Sequence, residues 1–324
     1  MSETARQPGN ALSAFLKSYE NGLNPRLPER CPIPTRVLGY GEISTVLEIE
    51  HPDGRRFAYK RMPMFYSEQE VTHYEALVRE WVDLCNTRIN IHVLASETVH
   101  FTDERSGRII VYIRQNALPK ESIGNQIIRR AAPEEAGLLF RAVLKEMRKV
   151  YDFNRANAGM IEIGFDAQIS NWALRSTATG HHLTQKPELF YLDVSSPLMR
   201  LKGVEQLDSE LFLRSAPSFL VWLIRLLFLR DVLTRYYDPR KVAVDLLANL
   251  YKEQRPDLIP VLLTTINDFF ADAGPHITHK EVAAYYREDA WIWRTYLGLR
   301  KIDRFLHRAA GRCYPYILPE KVRR

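Results

Sequence analysis

The sequence is short of cysteine. Its three thiols, Cys31, Cys85 and Cys313, are scattered over 324 positions with no CxxC pair. That excludes a zinc ribbon and a disulfide-built scaffold, and it fits a reducing compartment. Long apolar runs are also missing: the best, 219–229, is interrupted by Arg225 and falls short of the roughly 20 residues a bilayer-spanning helix needs. Residues 1–10 are polar, without the apolar core of a signal peptide, so a cytoplasmic protein is expected. No internal repeat and no low-complexity segment interrupts the chain. The adjacent His181 and His182 lie in a polar turn with no Cys or acidic partner at ligand spacing, which argues against a metal site there.

Charge of one sign is only slightly in excess, with 45 basic against 39 acidic residues. The stretch 300–324 carries eight basic and two acidic residues, a surplus equal to the +6 of the whole chain. The remainder is close to neutral. Such a tail reads first as a solvated basic helix face, and a nucleic-acid surface is not expected. What is present in quantity is apolar side chain, 46% of the residues, enough to build a core.

The first third is rich in strand formers. Residues 1–35 form a lead, in which 12–19 can make two helical turns before the prolines at 25, 28, 32 and 34 keep the backbone extended. The patterns over 36–50 and 55–61 predict three antiparallel strands joined by glycine-bearing turns at Gly39, Gly41 and Gly54. Ser67-Glu68-Gln69-Glu70 has the form of a capping box and opens a helix to about residue 85. Glu75 falls inside its apolar stripe and needs a cationic partner, for which Lys60 is the candidate. Stretches 89–99 and 108–114 predict two further strands, giving a five-stranded sheet that carries one helix. Beyond residue 119 the pattern turns helical, with helices expected over 123–130, 133–150, 210–237, 239–254, 256–273 and 278–307.

The stretch 160–174 stands out within that helical part. Asp166 and Asn171 lie five positions apart in a polar segment leading into the strand-like Trp172-Ala173-Leu174, and a second strand-like piece, 189–193, ends on Asp193. Two acids and a carboxamide on the ends of one hairpin suit magnesium, which takes few protein oxygens and completes its shell with phosphate and water. In the first turn, the missing side chains of Gly39 and Gly41 let backbone amides approach a phosphate, and Lys60 sits where it can reach the same place.

Taken in chain order, these pieces resemble the protein-kinase-like fold, including its aminoglycoside and choline phosphotransferase branch. Gly39-Tyr40-Gly41-Glu42-Ile43-Ser44-Thr45-Val46 resembles the family's G-x-G-x-x-G-x-V loop, Ala58-Tyr59-Lys60 its strand lysine, and Asp166 with Asn171 its D-x-x-x-x-N spacing. The resemblance covers about residues 36–200. It implies an α+β, two-lobed fold: an N-terminal lead (1–35), a nucleotide-binding lobe (36–118) with a five-stranded antiparallel sheet plus one helix, and a mostly helical lobe (119–324). It further implies ATP and Mg2+ as cofactors and a small-molecule acceptor. Gly39, Tyr40, Gly41, Ser44 and Val46 would cover the nucleotide, Lys60 held by Glu75 would contact its phosphates, Asn171 and Asp193 would hold the metal, and Asp166 would act on the acceptor hydroxyl.

The departures are specific. Gly164 stands where the family has histidine two before the catalytic acid, Ser44 replaces the third loop glycine, and Asp193-Val194-Ser195 replaces Asp-Phe-Gly. About fifteen residues follow Asp193 before the next expected helix, too few for a long activation segment, so a small-molecule phosphotransferase fits better than a protein kinase. Three other readings stay open: a kinase-like nucleotide-binding module with little or no turnover, a nucleotidyl transferase on the same fold, and an α+β domain whose glycines, lysine and acids are only turns and surface. The acceptor and the oligomeric state leave no mark in the sequence.

Overall fold

A β-strand turns successive side chains to opposite faces, so a sheet with apolar residues at both parities must be covered on both sides. That is the situation of the chain's main sheet. The computed structural model describes residues 8–41, 43–175, 183–217, 221, 234–271 and 275–320. Its five antiparallel strands are β1 (Thr35–Tyr40), β2 (Thr45–Glu50), β3 (Arg56–Phe65), β4 (Ser96–Asp103) and β5 (Arg108–Asn116), in the order β1-β2-β3-β5-β4. Pro63, which has no N–H to give a ladder, falls where the β3 register shifts against β5, between Met62 and Phe65.

One face of the sheet is closed by helix α1 (Pro8–Gly22), which lays Leu12, Leu16 and Tyr19 against Leu47, Tyr59 and Tyr112. Ile317, far along the chain, joins the same cluster. The other face is closed by α2 (Glu68–Leu84), whose Val71, Tyr74, Val78 and Trp81 pack on Met62, Val111 and Ile113. The Ser67 hydroxyl caps α2 by accepting from the Glu70 N–H at 3.3 Å, and the Glu70 carboxylate accepts from the Tyr66 N–H at 2.9 Å. The predicted cap and helix bounds are therefore found.

The rest of the chain is mainly helical. It contains α3 (Gly124–Ile128), α4 (Pro133–Ala156), α5 (Glu210–Leu213), α6 (Pro239–Lys252), α7 (Ile259–Phe269) and α8 (His279–Ala309). Helix α4 packs against α7, and α8 against α6. Between them lie two small sheets: the hairpin β7 (Trp172–Leu174) with β8 (Leu189–Tyr191), and the set β6 (Ile161–Ile163), β9 (Met199–Leu201) and β10 (Val204–Glu205). The fold is α+β. No helix among the described residues is long and apolar enough to cross a membrane.

Several expectations need correction. The two turns over 12–19 are part of a 15-residue helix that packs on the sheet, because the stripe Leu12, Leu16, Tyr19 has the helical period and a β-face to bury against. The β-rich segment 89–99 does not enter the sheet as a whole. β4 begins only at Ser96, and 91–94 runs instead alongside β8, where the Tyr191 N–H donates to the His92 carbonyl and the Leu94 N–H to the Tyr191 carbonyl. The three-residue strands β6, β9 and β10 carry too little pattern to be seen in advance. Of the helix expected over 210–237, α5 and a short 3-10 turn at Arg235–Tyr237 are described. The rest of the apolar run 219–229, except residue 221, lies outside the described residues, as do His181, His182, Glu42, residues 1–7 and 321–324.

A buried charge cluster ties the two ends of the chain to the sheet. Arg61 of β3 and Glu20 of α1 are both about 2% exposed and form a forked pair, Nε to Oε1 at 2.5 Å and Nη2 to Oε2 at 3.1 Å. Arg61 Nη1 also donates to the Pro315 carbonyl, and the Tyr112 hydroxyl donates to Glu20. Removing one partner leaves the other charged and dry. Glu20→Ala should therefore cost about 3–5 kcal/mol in urea unfolding, while Glu20→Met with Arg61→Met should recover most of that loss.

Candidate active site

Residues directly opposite one another in an antiparallel sheet point to the same face. Gly39 pairs with Val46, Val46 with Lys60, and Lys60 with Ile113, so these four form one row across β1, β2, β3 and β5. Gly39 leaves a gap at the edge of that row, since a Cβ built there would meet nothing within 4 Å. The turn beyond it is held by the Gly41 N–H donating to the Ser44 carbonyl at 2.9 Å. Ser44 is buried and its hydroxyl lies 2.9 Å from where a Gly41 Cβ would stand, so the hydroxyl fills space that a third glycine would leave open.

Lys60 closes the long-range geometry. Its Nζ lies 2.8 Å from Asp193 Oδ1 and 2.7 Å from Ser195 Oγ, across 133 and 135 positions of chain. Ser195 in turn donates its N–H at 2.9 Å and its hydroxyl at 2.8 Å to the same Asp193 oxygen. Burial alone would raise the Asp193 carboxyl; the ammonium of Lys60 and these hydrogen bonds outweigh it and hold the group below its ordinary value. Ser195 is a site residue that sequence reading missed. Its signal was present, since it stands two past Asp193, where a short hydroxyl side chain reaches back to its own acid.

The expected pairing of Lys60 with Glu75 is not what the structure contains. Glu75 accepts from His100 of β4, Nδ1 to Oε1 at 2.8 Å, and Glu68 grips the other ring nitrogen at 3.1 Å. Glu68 and Glu75 stand two helical turns apart on one side of α2, facing the sheet's β4 edge. One residue back along the helix is about 100° round, and there Tyr74 turns toward the site and donates its hydroxyl to the Ser195 carbonyl at 2.9 Å. Helix α2 thus reaches the lysine through Tyr74 and Ser195, not through an acid.

The hairpin β7–β8 is found as expected, with Trp172 opposite Tyr191, and it sets Asp193 beside the Asp166 to Asn171 loop. The Asn171 carbonyl accepts from the Leu192 N–H at 2.8 Å. Asn171 Nδ2 and the Tyr191 hydroxyl both donate to the Asp166 carbonyl, at 3.2 and 2.9 Å. Tyr191 is wedged between Phe165, stacked at 4.5 Å, and Trp172, edge-on at 5.1 Å. The loop backbone is therefore locked by rings and hydrogen bonds while the Asp166 carboxyl stays half-buried at its surface.

Asp166 is pushed up to about 7. Burial is the largest cause, followed by the negative charges of Asp245 and Asp193; the Gln168 N–H at 3.0 Å and the charge of Arg235 oppose it. Asp245 comes from α6, where it is buried and accepts from the Tyr285 hydroxyl at 2.9 Å. Its neighbour one turn on, Asn249, accepts from the Ile169 N–H at 3.3 Å. Both lie inside an otherwise apolar stretch of helix, which was the available signal for a polar contact beneath the loop.

Gly164 has a packing explanation. A Cβ there would stand 2.8 Å from the Leu198 Cβ and 3.0 Å from the Tyr237 ring, closer than side chains tolerate, and the Gly164 N–H donates to the Leu198 carbonyl. Tyr237 fills the place beside the loop that a larger residue at 164 would need, and Arg200 lies 3.8 Å over its ring.

No curated protein matches the chain. A model described as "Family of unknown function (DUF6206)" matches residues 33–304. The chain belongs to that family. The DUF6206 match begins beyond α1 and stops before the 314–318 segment, so the row at Gly39, Val46 and Lys60, the Asp166 loop and Asp193 all fall inside it. A solved structure titled "WaaP in complex with acyl carrier protein" aligns with 85% of this DUF6206 chain and 100% of its own at 14% identity and a TM-score of 0.33. That likeness is too slight to carry a fold or an activity across.

Two outcomes test the loop. Gly164→Ala should destabilise the protein by about 2 kcal/mol in denaturant unfolding through overpacking. The folded Asp166 carboxyl keeps its proton up to about 7, against 3.8 ordinarily. The stability this contributes is full below the lower value and is lost as pH rises through the higher one. Asp166→Asn cannot ionise, so between pH 5 and 8 the wild type should lose roughly 2 kcal/mol relative to that variant, read as diverging melting curves.

Proposed function

We propose that the chain is an ATP- and magnesium-dependent phosphotransferase that moves the γ-phosphoryl group to a hydroxyl of a small-molecule acceptor. The arrangement would be two-lobed and protein-kinase-like, with 36–118 covering the nucleotide and 119–324 supplying the catalytic loop. One observation carries the reading. The ammonium of a central strand, Lys60, lies on the carboxylate Asp193, which the β7–β8 hairpin sets beside the Asp166 and Asn171 loop.

The donor chemistry fits the cofactors. Among the described residues, Asp193 Oδ2 and the Asn171 carboxamide oxygen accept no hydrogen bond, because the contacts fall on Asp193 Oδ1 and Asn171 Nδ2. Those two oxygens are hard ligands, and two alone suit an ion that completes its shell with phosphate and water, as magnesium does. Bound MgATP would supply the transferable phosphoryl group and the charge that neutralises its oxygens. Lys60 would hold phosphate oxygens, the gap at Gly39 with the Gly41 and Ser44 turn would admit the phosphates, and Tyr40 and Val46 would flank the nucleotide. Asp166, with a carboxyl near neutrality, would orient the acceptor hydroxyl and take its proton. Tyr74 and Ser195 would keep Asp193 and Lys60 in register, the place first given to Glu75.

A second reading has its own observation. With Lys60 held on Asp193 Oδ1, one oxygen of the metal-binding acid is already neutralised, which favours a nucleotide-binding module without turnover. Release of ADP in the presence of magnesium and a panel of hydroxyl metabolites separates the two. The phosphotransferase reading predicts that Asp166→Asn lowers turnover by about 10²–10⁴-fold with little change in nucleotide affinity. Lys60→Ala and Asp193→Ala should weaken nucleotide binding itself. Tyr74→Phe should lower turnover more than Glu75→Ala does. Equal background turnover in wild type and Asp166→Asn would remove the catalytic claim, and label transferred from the α-phosphate would point to nucleotidyl transfer.

A further inference from the structure

Helix α8 packs through Val282, Trp293 and Leu297, which are buried against the rest of the helical part. Its opposite side carries large apolar side chains among polar ones, with Arg287, Glu288 and Thr295 exposed on the same side. Trp291 is 64% exposed, Ile302 51%, Phe305 69% and Leu306 49%. At about 100° per residue these four fall within an arc of about 100°, one stripe facing away from the protein. Large exposed apolar side chains gathered on one face, rather than scattered singly, mark an interaction surface.

The flank of the stripe is equally ordered. Arg287, Arg294, Lys301 and Arg308 recur every seven residues, forming a basic row along one edge of the apolar stripe. Arg287, Arg294 and Arg308 are exposed. Arg312 follows shortly after in sequence, and the stretch 300–324 holds eight basic against two acidic residues. Aromatic and aliphatic side chains in one stripe, edged by long cations whose stems lie along it while their heads stay wet, are the pattern of a helix lying in the plane of a lipid headgroup layer. Antiparallel packing of a second copy on this stripe would set the two basic rows against each other, which disfavours that arrangement.

We propose that the outer face of α8 binds an anionic membrane surface, with Trp291, Ile302, Phe305 and Leu306 entering the headgroup boundary and the Arg287, Arg294, Lys301 and Arg308 row meeting acidic lipids. The inference does not rest on the phosphotransferase reading. The test is sedimentation of the full chain with vesicles of phosphatidylcholine alone and with phosphatidylserine added. Binding to the acidic vesicles should be at least about tenfold tighter and should weaken with salt. Trp291→Ser with Phe305→Ser should lower it by at least tenfold at unchanged melting temperature, because both sites are exposed. Arg287→Glu with Arg294→Glu and Arg308→Glu should abolish the preference for acidic lipid. No sedimentation with either vesicle overturns the proposal, as does binding that neither set of substitutions alters. A concentration-dependent dimer lost in the Trp291 and Phe305 variant, without lipid binding, would overturn it in favour of self-association, and capture by an acidic protein without lipid binding would overturn it likewise.

Discussion

An ammonium and a carboxylate brought out of water lose solvation that their attraction restores only when the remaining donors and acceptors are also satisfied. Lys60 and Asp193 meet that condition. Ser195 contributes both its N–H and its hydroxyl, and Tyr74 anchors the Ser195 carbonyl from α2. Each element near the site serves this contact. The sheet fixes Lys60 between Val46 and Ile113, the β7–β8 hairpin delivers Asp193, and the 91–94 segment braces that hairpin from the side at Tyr191. A lysine and an acid so far apart in sequence come together only if the whole arrangement is formed.

The same economy of satisfied polar groups explains the outer side of the sheet. Arg61, next in sequence to Lys60, points the other way because strand side chains alternate. It is held there by Glu20, which also accepts from the Tyr112 hydroxyl, and by the Pro315 carbonyl. Two adjacent cations thus serve opposite faces, one directed at the candidate active site and one clamping α1 and the 314–318 segment to the sheet. Glu20 and Pro315 both lie outside residues 33–304, which match the family model.

Much of this was legible in the sequence where a local rule governs. The Ser67 cap, the meander of β1 to β3, the Trp172 to Asp193 hairpin and the placement of Lys60, Asp166, Asn171 and Asp193 follow from turn chemistry, periodicity and motif order. What was not legible depended on direction in space. Glu75 sat at a plausible helical position, yet one residue's rotation gives the site to Tyr74 and leaves Glu75 to His100. The strands β6, β9 and β10 are too short to show a period, and the segment 91–94 has strand composition but finds its partner in Tyr191 outside the main sheet. Gly164 read as a departure from a motif; its cause, the Tyr237 ring, lies more than seventy positions along the chain.

The central claim is that one triphosphate and one magnesium ion sit where the Gly39 row faces Asp166, Asn171 and Asp193. A crystal structure of the full chain grown with a non-hydrolysable ATP analogue and magnesium tests it most directly. The account predicts phosphates beside Gly39 and Lys60, with the metal on Asn171 and Asp193. Nucleotide bound elsewhere, or a crystal saturated with the analogue in which Lys60 and Asp193 touch neither phosphate nor metal, would contradict it.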